Sequence, residues 1–181
     1  MRRRLFPTQR KPVLLIILIV VLVLGFFFFK KRVWTPKSGQ FQLIKKAVSL
    51  DRKWDFFASD RNGTPLETKI TFSLISAEKT NQIYVKNKPI RTTPDKGFLV
   101  LSLELENTTG ERVYFYSSDY IRLLGPEGKK FEADFRNPRF EIAPFSTKKD
   151  KLAFLVNAKE KNFQIQIGEI TGTIETISIN F

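Results

Sequence analysis

FLVLSLELEN, residues Phe98 to Asn107, alternates from its second residue: Leu99, Leu101, Leu103 and Leu105 fall on one side of an extended chain, and Ser102, Glu104 and Glu106 on the other. Successive side chains of a β-strand point to opposite faces of its sheet, so this run predicts a strand with one face buried and one wet. Asn107-Thr108-Thr109-Gly110 then reads as a turn leading into Val113 and Phe115, the expected hairpin partner.

The period of two continues in both directions. Upstream, Ile70, Phe72 and Leu74 mark a strand, Ile83 and Val85 a second after the break at Asn81, and Lys86 to Gly97, with Pro89, Pro94 and Asp95, a loop. Downstream, Tyr120 to Leu124 and Phe131 flank Gly125-Pro126-Glu127-Gly128, a second hairpin. Phe140 and Ile142 follow Asn137-Pro138; beyond a turn at Pro144 come Leu152, Phe154 and Val156, with Ala153 and Leu155 as their alternates. Phe163, Ile165 and Ile167 form the next strand, and Ile177, Ile179 and Phe181 the last. Seven to eight short, mostly antiparallel strands without a convincing helix predict an all-β fold, an immunoglobulin-like β-sandwich over residues 67–181, because two half-apolar sheets bury their faces best against each other.

The start of the chain follows another pattern. Val13, Leu14, Leu15, Ile16, Ile17, Leu18, Ile19, Val20, Val21, Leu22, Val23, Leu24, Gly25, Phe26, Phe27, Phe28 and Phe29 carry no polar or charged side chain. As a helix they reach about 25 Å, near the lower limit for crossing the hydrocarbon core. A single transmembrane helix is therefore expected at 13–29, a membrane anchor with the lipid bilayer as its partner. A signal peptide has similar parts, but Lys30, Lys31 and Arg32 follow four phenylalanines where small residues are wanted; only Val23 and Gly25 fit, and cutting after Gly25 would leave those phenylalanines exposed. The chain has no cysteine to acylate, which excludes a lipoprotein anchor. Arg2, Arg3, Arg4, Arg10 and Lys11 outnumber the three basic residues on the other flank, so the rule that retains lysine and arginine inside places residues 1–12 in the cytoplasm and the C-terminal domain outside it. Localisation is thus expected at the cell membrane.

Residues 30–66 read as a juxtamembrane stalk and N-terminal extension, with Trp34, Pro36 and Gly39 near its start. Phe41, Leu43, Ile44, Ala47, Val48 and Leu50 suit an edge strand or a short amphipathic helix. Trp54, Phe56 and Phe57 either rest on headgroups or cap the end of the folded domain. Asp60-Arg61-Asn62-Gly63 has the opening of a calcium loop, yet Arg61 and the missing glutamate at closing distance make it a turn.

The net charge of +13, from 31 basic and 18 acidic residues, is concentrated at the start. Eight basic and no acidic residues lie in 1–32, which leaves 23 basic against 18 acidic and a net charge of +5 for the rest. The pairs Lys45-Lys46, Lys129-Lys130 and Lys148-Lys149 are dispersed, which argues against nucleic acid and leaves weak contact with acidic wall polymers or headgroups. Without cysteine or histidine there is no disulfide, thiol nucleophile, Ser-His-Asp triad or zinc site of nitrogen and sulfur ligands, and no cofactor is expected. The sequons at Asn62 and Asn107 read as turn residues.

FLVLSLELENTTGERVYFYSSDYIRLLGPEGKKFEAD, Phe98 to Asp134, with IAPFSTKKDKLAFLV from Ile142 and FQIQIG from Phe163, resembles the bacterial surface module known as domain of unknown function 4352. The shared features are an apolar strand ending in Asn107, the SSDY run, the Gly128-Lys129-Lys130-Phe131 turn and the proline before the penultimate strands. One departure is Phe145, where the family often has glycine after the proline. The resemblance implies an immunoglobulin-like domain, anchored outside the cytoplasmic membrane, and transfers no active-site residue.

The expected function is a membrane-anchored extracytoplasmic binding or interaction module without catalytic activity, taking a protein, peptide or cell-wall partner. Its interaction surface is expected at the aromatic strip Tyr114, Phe115, Tyr116 and Tyr120 or at the loop from Lys86 to Gly97; equally, alternate rings of the strip fill the core. The alternative is a single-pass structural subunit of a secretion, division or transport assembly. An enzyme of paired carboxylates would draw on Glu132, Asp134 and Glu141, whose basic neighbours read as surface charge balance.

Overall fold

A computed structural model of the protein describes residues 42–169 and 172–181. The expected cytoplasmic segment, the expected transmembrane helix at Val13 to Phe29 and the first part of the stalk lie outside the described residues. No helix among the described residues is long and apolar enough to cross a membrane.

Residues Leu43–Phe181 form one compact unit. Twelve strands cross it: β1 (Lys45–Ser59), β2 (Pro65–Thr80), β3 (Gln82–Val85), β4 (Lys88–Arg91), β5 (Lys96–Asn107), β6 (Val113–Phe115), β7 (Ile121–Leu124), β8 (Lys130–Phe131), β9 (Phe140–Ile142), β10 (Ser146–Asn157), β11 (Asn162–Gly168) and β12 (Ile174–Asn180). They form a six-stranded sheet in the order β10-β5-β2-β1-β6-β9, a four-stranded sheet in the order β12-β11-β7-β8, and the β3-β4 hairpin. Every pairing is antiparallel. The only helical segments described are the 3-10 turns Ser117–Asp119 and Pro126–Gly128.

The two larger sheets bury one core between them. Leu99, Leu101, Leu103 and Leu105 of β5 turn into it, together with Phe72 and Leu74 of β2 and Phe154 of β10; Ile121, Ile165, Ile167, Ile177 and Ile179 meet them from the smaller sheet. The architecture is a β-sandwich, as the alternation predicts.

Four expectations are corrected. First, the strands number twelve among the described residues rather than seven to eight; the additional ones are short, and β8 has only two residues. Second, the domain begins well before residue 67, because β1 lies in the part assigned to the stalk and pairs with β2 from Lys45↔Thr80 to Ser59↔Pro65. Its period of two is broken by a bulge between Ser49 and Arg52, where Asp51 sits at φ 46, and its many charged residues face solvent. Such a strand reads like a linker. Third, β5 does not form a hairpin with Val113 and Phe115. Its two edges are taken by β10 and β2, and β6 pairs instead with β9 and, at Ser59↔Tyr114, with β1. Fourth, the loop from Lys86 to Gly97 contains β4. Lys86 and Asn87 adopt φ 49 and 62, the pair of left-handed residues of a type I′ turn, whose twist suits a two-residue hairpin.

That hairpin explains a second, smaller core. Phe98 and Val100 lie on the face of β5 expected to be wet, yet both are buried with Ala153 beneath Ile83, Ile90 and Phe135. The Phe98 and Phe135 rings meet edge to face with centroids 5.6 Å apart.

A lysine-lined groove on the outer face of the large sheet

Beside this outer core runs a groove of about 1220 Å³, the larger of the two concavities described here. Its floor comes from Glu78 and Thr80 of β2, Val100 of β5 and Lys149 to Ala153 of β10; Gln82 to Lys86 and Glu132 to Pro138 line its sides. Alternation sets the floor: with the leucines of β5 turned into the core, Val100 and its register partners Glu78 and Ala153 turn outward. Tyr84 stands 70% exposed on the hairpin, its hydroxyl accepting from Gln82 Nε2 at 3.0 Å.

The charges divide by whether they are already used. Glu78 pairs with Lys45 Nζ at 2.8 Å, and Glu132 with Arg136 at 3.1 Å and Arg122 at 3.9 Å. Asp134 Oδ2 accepts the Leu155 N–H at 2.6 Å. Asp150 is buried, and its Oδ1 accepts from Asn137 Nδ2 at 2.7 Å and from the Lys151 N–H at 2.8 Å. Lys86, Lys149 and Lys151, in contrast, have no carboxylate within 4.0 Å among the described residues. The groove therefore offers three ammonium groups and an exposed aromatic ring, while its acids are engaged within the fold.

The tyrosines of the expected surface divide, with Tyr116 and Tyr120 lining one smaller pocket and Tyr114 held on Glu141. Tyr114 donates to Glu141 Oε2 at 2.9 Å, a bond that holds its hydroxyl pKa above the ordinary range, and Arg112 Nε takes the other Glu141 oxygen at 3.1 Å. Phe115 is buried in the core. Tyr120 stacks between Phe115 and Phe56, with centroids 4.5 and 4.6 Å away, and donates to Phe57 O at 3.0 Å. Its hydroxyl pKa is pushed up to about 12 by burial, with the Glu169 and Asp119 carboxylates adding to the effect. Tyr116 is half-buried and lines, with Tyr120, a smaller pocket elsewhere. The rings part because Tyr114 pairs across to β9 while Tyr120 lies beyond the 3-10 turn, against the core.

Glu132, Asp134 and Glu141 are thus each bound to a different part of the fold. Among the described residues no three acidic side chains gather in a metal-ligating arrangement. Of the aromatics near the start of the domain, Phe56 is buried, Trp54 half-buried and Phe57 exposed with Lys69 Nζ 4.8 Å from its ring centre. Tyr84, Phe135 and Asp150, which shape the groove, stand out in no period-two pattern. The available signal was the opening FLV of the deciding run, which puts apolar Phe98 and Val100 on the polar side.

No family model matches the sequence, and no curated protein sequence matches it. Among solved structures, the chain is similar to a conserved hypothetical protein from Bacillus anthracis, 11% identical, with a TM-score of 0.48 over 74% of this chain and 96% of that one. It is also similar to an uncharacterized β-sandwich protein from Clostridium difficile, 13% identical, with a TM-score of 0.42 over 62% of this chain and 86% of that one.

Proposed function

We propose that this protein is a non-enzymatic binding module, held at the outer side of the cell membrane by a single helix at 13–29, that takes an acidic, extended segment of a partner protein in its groove. The observation that carries this reading is the division of charge: among the described residues Lys86, Lys149 and Lys151 have no carboxylate within 4.0 Å, whereas Glu78, Glu132, Asp134 and Asp150 are engaged. Unpaired ammonium groups beside an exposed tyrosine favour a ligand with carboxylates and some apolar surface. An immunoglobulin-like form and a relationship to domain of unknown function 4352 belong to the same proposal, supported by the run Phe98 to Asp134 and by the left-handed backbone of Phe145 (φ 50) where that family often has glycine. The engagement of Glu132, Asp134 and Glu141 within the fold supports the absence of catalysis.

The test has two arms. Protease shaving of intact cells carrying a tag at each end should remove the C-terminal tag and spare the N-terminal one; a C-terminal domain resistant until the cells are broken would overturn the topology. Fluorescence anisotropy on the full chain in detergent, with a labelled peptide alternating glutamate and tyrosine, should show binding about tenfold tighter than with a peptide alternating lysine and tyrosine, and Lys149→Gln with Lys151→Gln should weaken it several-fold. Equal affinity for the two peptides would sink the groove reading, and tighter binding of polyphosphate than of the acidic peptide would replace the protein partner with an acidic polymer.

A further inference from the structure

A second concavity of about 280 Å³ lies at the end of β1 and shares no lining residue with the groove. Its charged members are Asp119, Arg139 and Glu169, and its apolar walls include Phe57, Pro65 and Tyr116. The Arg139 guanidinium lies over Gly63. Gly63 sits at φ 95 in the turn between β1 and β2, and a β-carbon there would come 3.0 Å from Arg139 Cζ and closer still to Nη1, so a larger residue would displace the guanidinium. The turn is held by Asp60, whose Oδ1 accepts the Asn62 and Thr64 N–H groups at 2.8 Å each. Those backbone bonds, the Thr64 one foremost, hold the Asp60 carboxyl below its ordinary pKa.

Arg139 makes no hydrogen bond or ion pair among the described residues, although two carboxylates line the same pocket. Among the described residues Asp119 and Glu169 likewise have no basic group within 4.0 Å, and Glu169 accepts the Phe57 N–H with one oxygen at 3.3 Å. A guanidinium and two carboxylates held apart in one small concavity present the complement of a molecule carrying both an anion and a cation. The guanidinium fork matches a carboxylate, and an ammonium group matches carboxylate oxygens. The pocket sits near the lower end of the size range of small-molecule sites, which suits a ligand of amino-acid size. The Tyr120 hydroxyl is already given to Phe57 O and is not part of this complement.

We propose that this pocket binds a free α-amino acid with an apolar side chain, its carboxylate on Arg139, its ammonium toward Asp119 and Glu169, and its side chain against Phe57 and Pro65. Isothermal titration of the full chain in detergent micelles with L-leucine, N-acetyl-leucine and leucinamide tests the requirement for both charges. Leucine should bind about tenfold tighter than either blocked form. Arg139→Gln should lower leucine affinity to the level of leucinamide while leaving leucinamide binding unchanged, with an unaltered melting temperature showing the fold intact. Gly63→Ala, which crowds the guanidinium, should weaken leucine in the same direction. Leucine binding no tighter than its blocked forms, full affinity in Arg139→Gln, or no heat at millimolar leucine would each overturn the assignment.

Discussion

Asn107 uses every hydrogen-bonding group of its side chain. Nδ2 donates to Glu111 O at 2.7 Å, Ala143 O at 3.1 Å and Ile142 O at 3.4 Å, while Oδ1 accepts the Thr109 N–H at 3.0 Å and the Thr109 hydroxyl at 2.8 Å. Fully buried, it ties the end of β5 to its own turn and to the corner between β9 and β10. The other side of that corner is Phe145, at φ 50 with its ring 76% exposed and its N–H bonded to Thr109 O at 3.1 Å. A bulky residue in the left-handed region costs about 1–2 kcal/mol, part of which glycine would return through the greater freedom it gives the unfolded chain. Phe145→Gly should therefore raise unfolding stability by up to about 1 kcal/mol in urea titrations. A loss of stability would mean that the ring's contact over Gly110, near 3.7 Å from where a β-carbon would stand, outweighs the strain.

The exposed edges of the strands account for several polar residues. β10 is an edge of the large sheet; its Ala153 is paired in both directions with Phe135 at 2.9 and 3.0 Å, Asp134 caps the Leu155 N–H, and Asp150 caps the Lys151 N–H. Along β1, Glu169 Oε1 takes the Phe57 N–H at 3.3 Å on the side away from β2. Side-chain acceptors thus occupy N–H groups that would otherwise template another strand. Asp134, one of the carboxylates the sequence offers for a catalytic set, has this use in the fold. Asp134→Ala combined with Asp150→Ala should expose the β10 edge and produce concentration-dependent self-association in size-exclusion chromatography. An unchanged elution volume across a hundredfold range of concentration would show that the caps do not guard the edge.

Across the sandwich, the two sheets are joined by more than apolar packing. Trp54 Nε1 of β1 donates to Glu175 Oε2 of β12 at 2.9 Å, and Tyr120, whose carbonyl receives the Gly168 N–H at 3.0 Å, completes a ring stack with Phe115 and Phe56. This stack gives the fold an alkaline limit. The Tyr120 pKa of about 12 lies above the unfolded value near 10, so the folded state holds the proton more tightly. Its contribution is complete below about pH 10 and is lost as pH rises from there toward 12. Urea midpoints should fall between pH 10 and 11 in the wild type and fall less steeply in Tyr120→Phe, which keeps the ring and removes the titrating group. Parallel slopes for the two proteins would assign the alkaline loss elsewhere.

A period of two in the apolar residues was enough to mark β5, β10, β11 and β12 as strands and the whole as a sandwich, because burying one side of an extended chain is a property of adjacent residues. The apolar run Val13 to Phe29 is likewise a local property, and its reading as an anchor rests on length and hydrophobicity alone. Pairing is not local. That β5 lies between β10 and β2, and that charged β1 joins the sheet, depend on which distant edges meet. The groove and the pocket depend on it further: their lysines, acids and arginine come from segments far apart in the chain, and whether each charge is engaged or left over is settled only when the sheets bring those segments together.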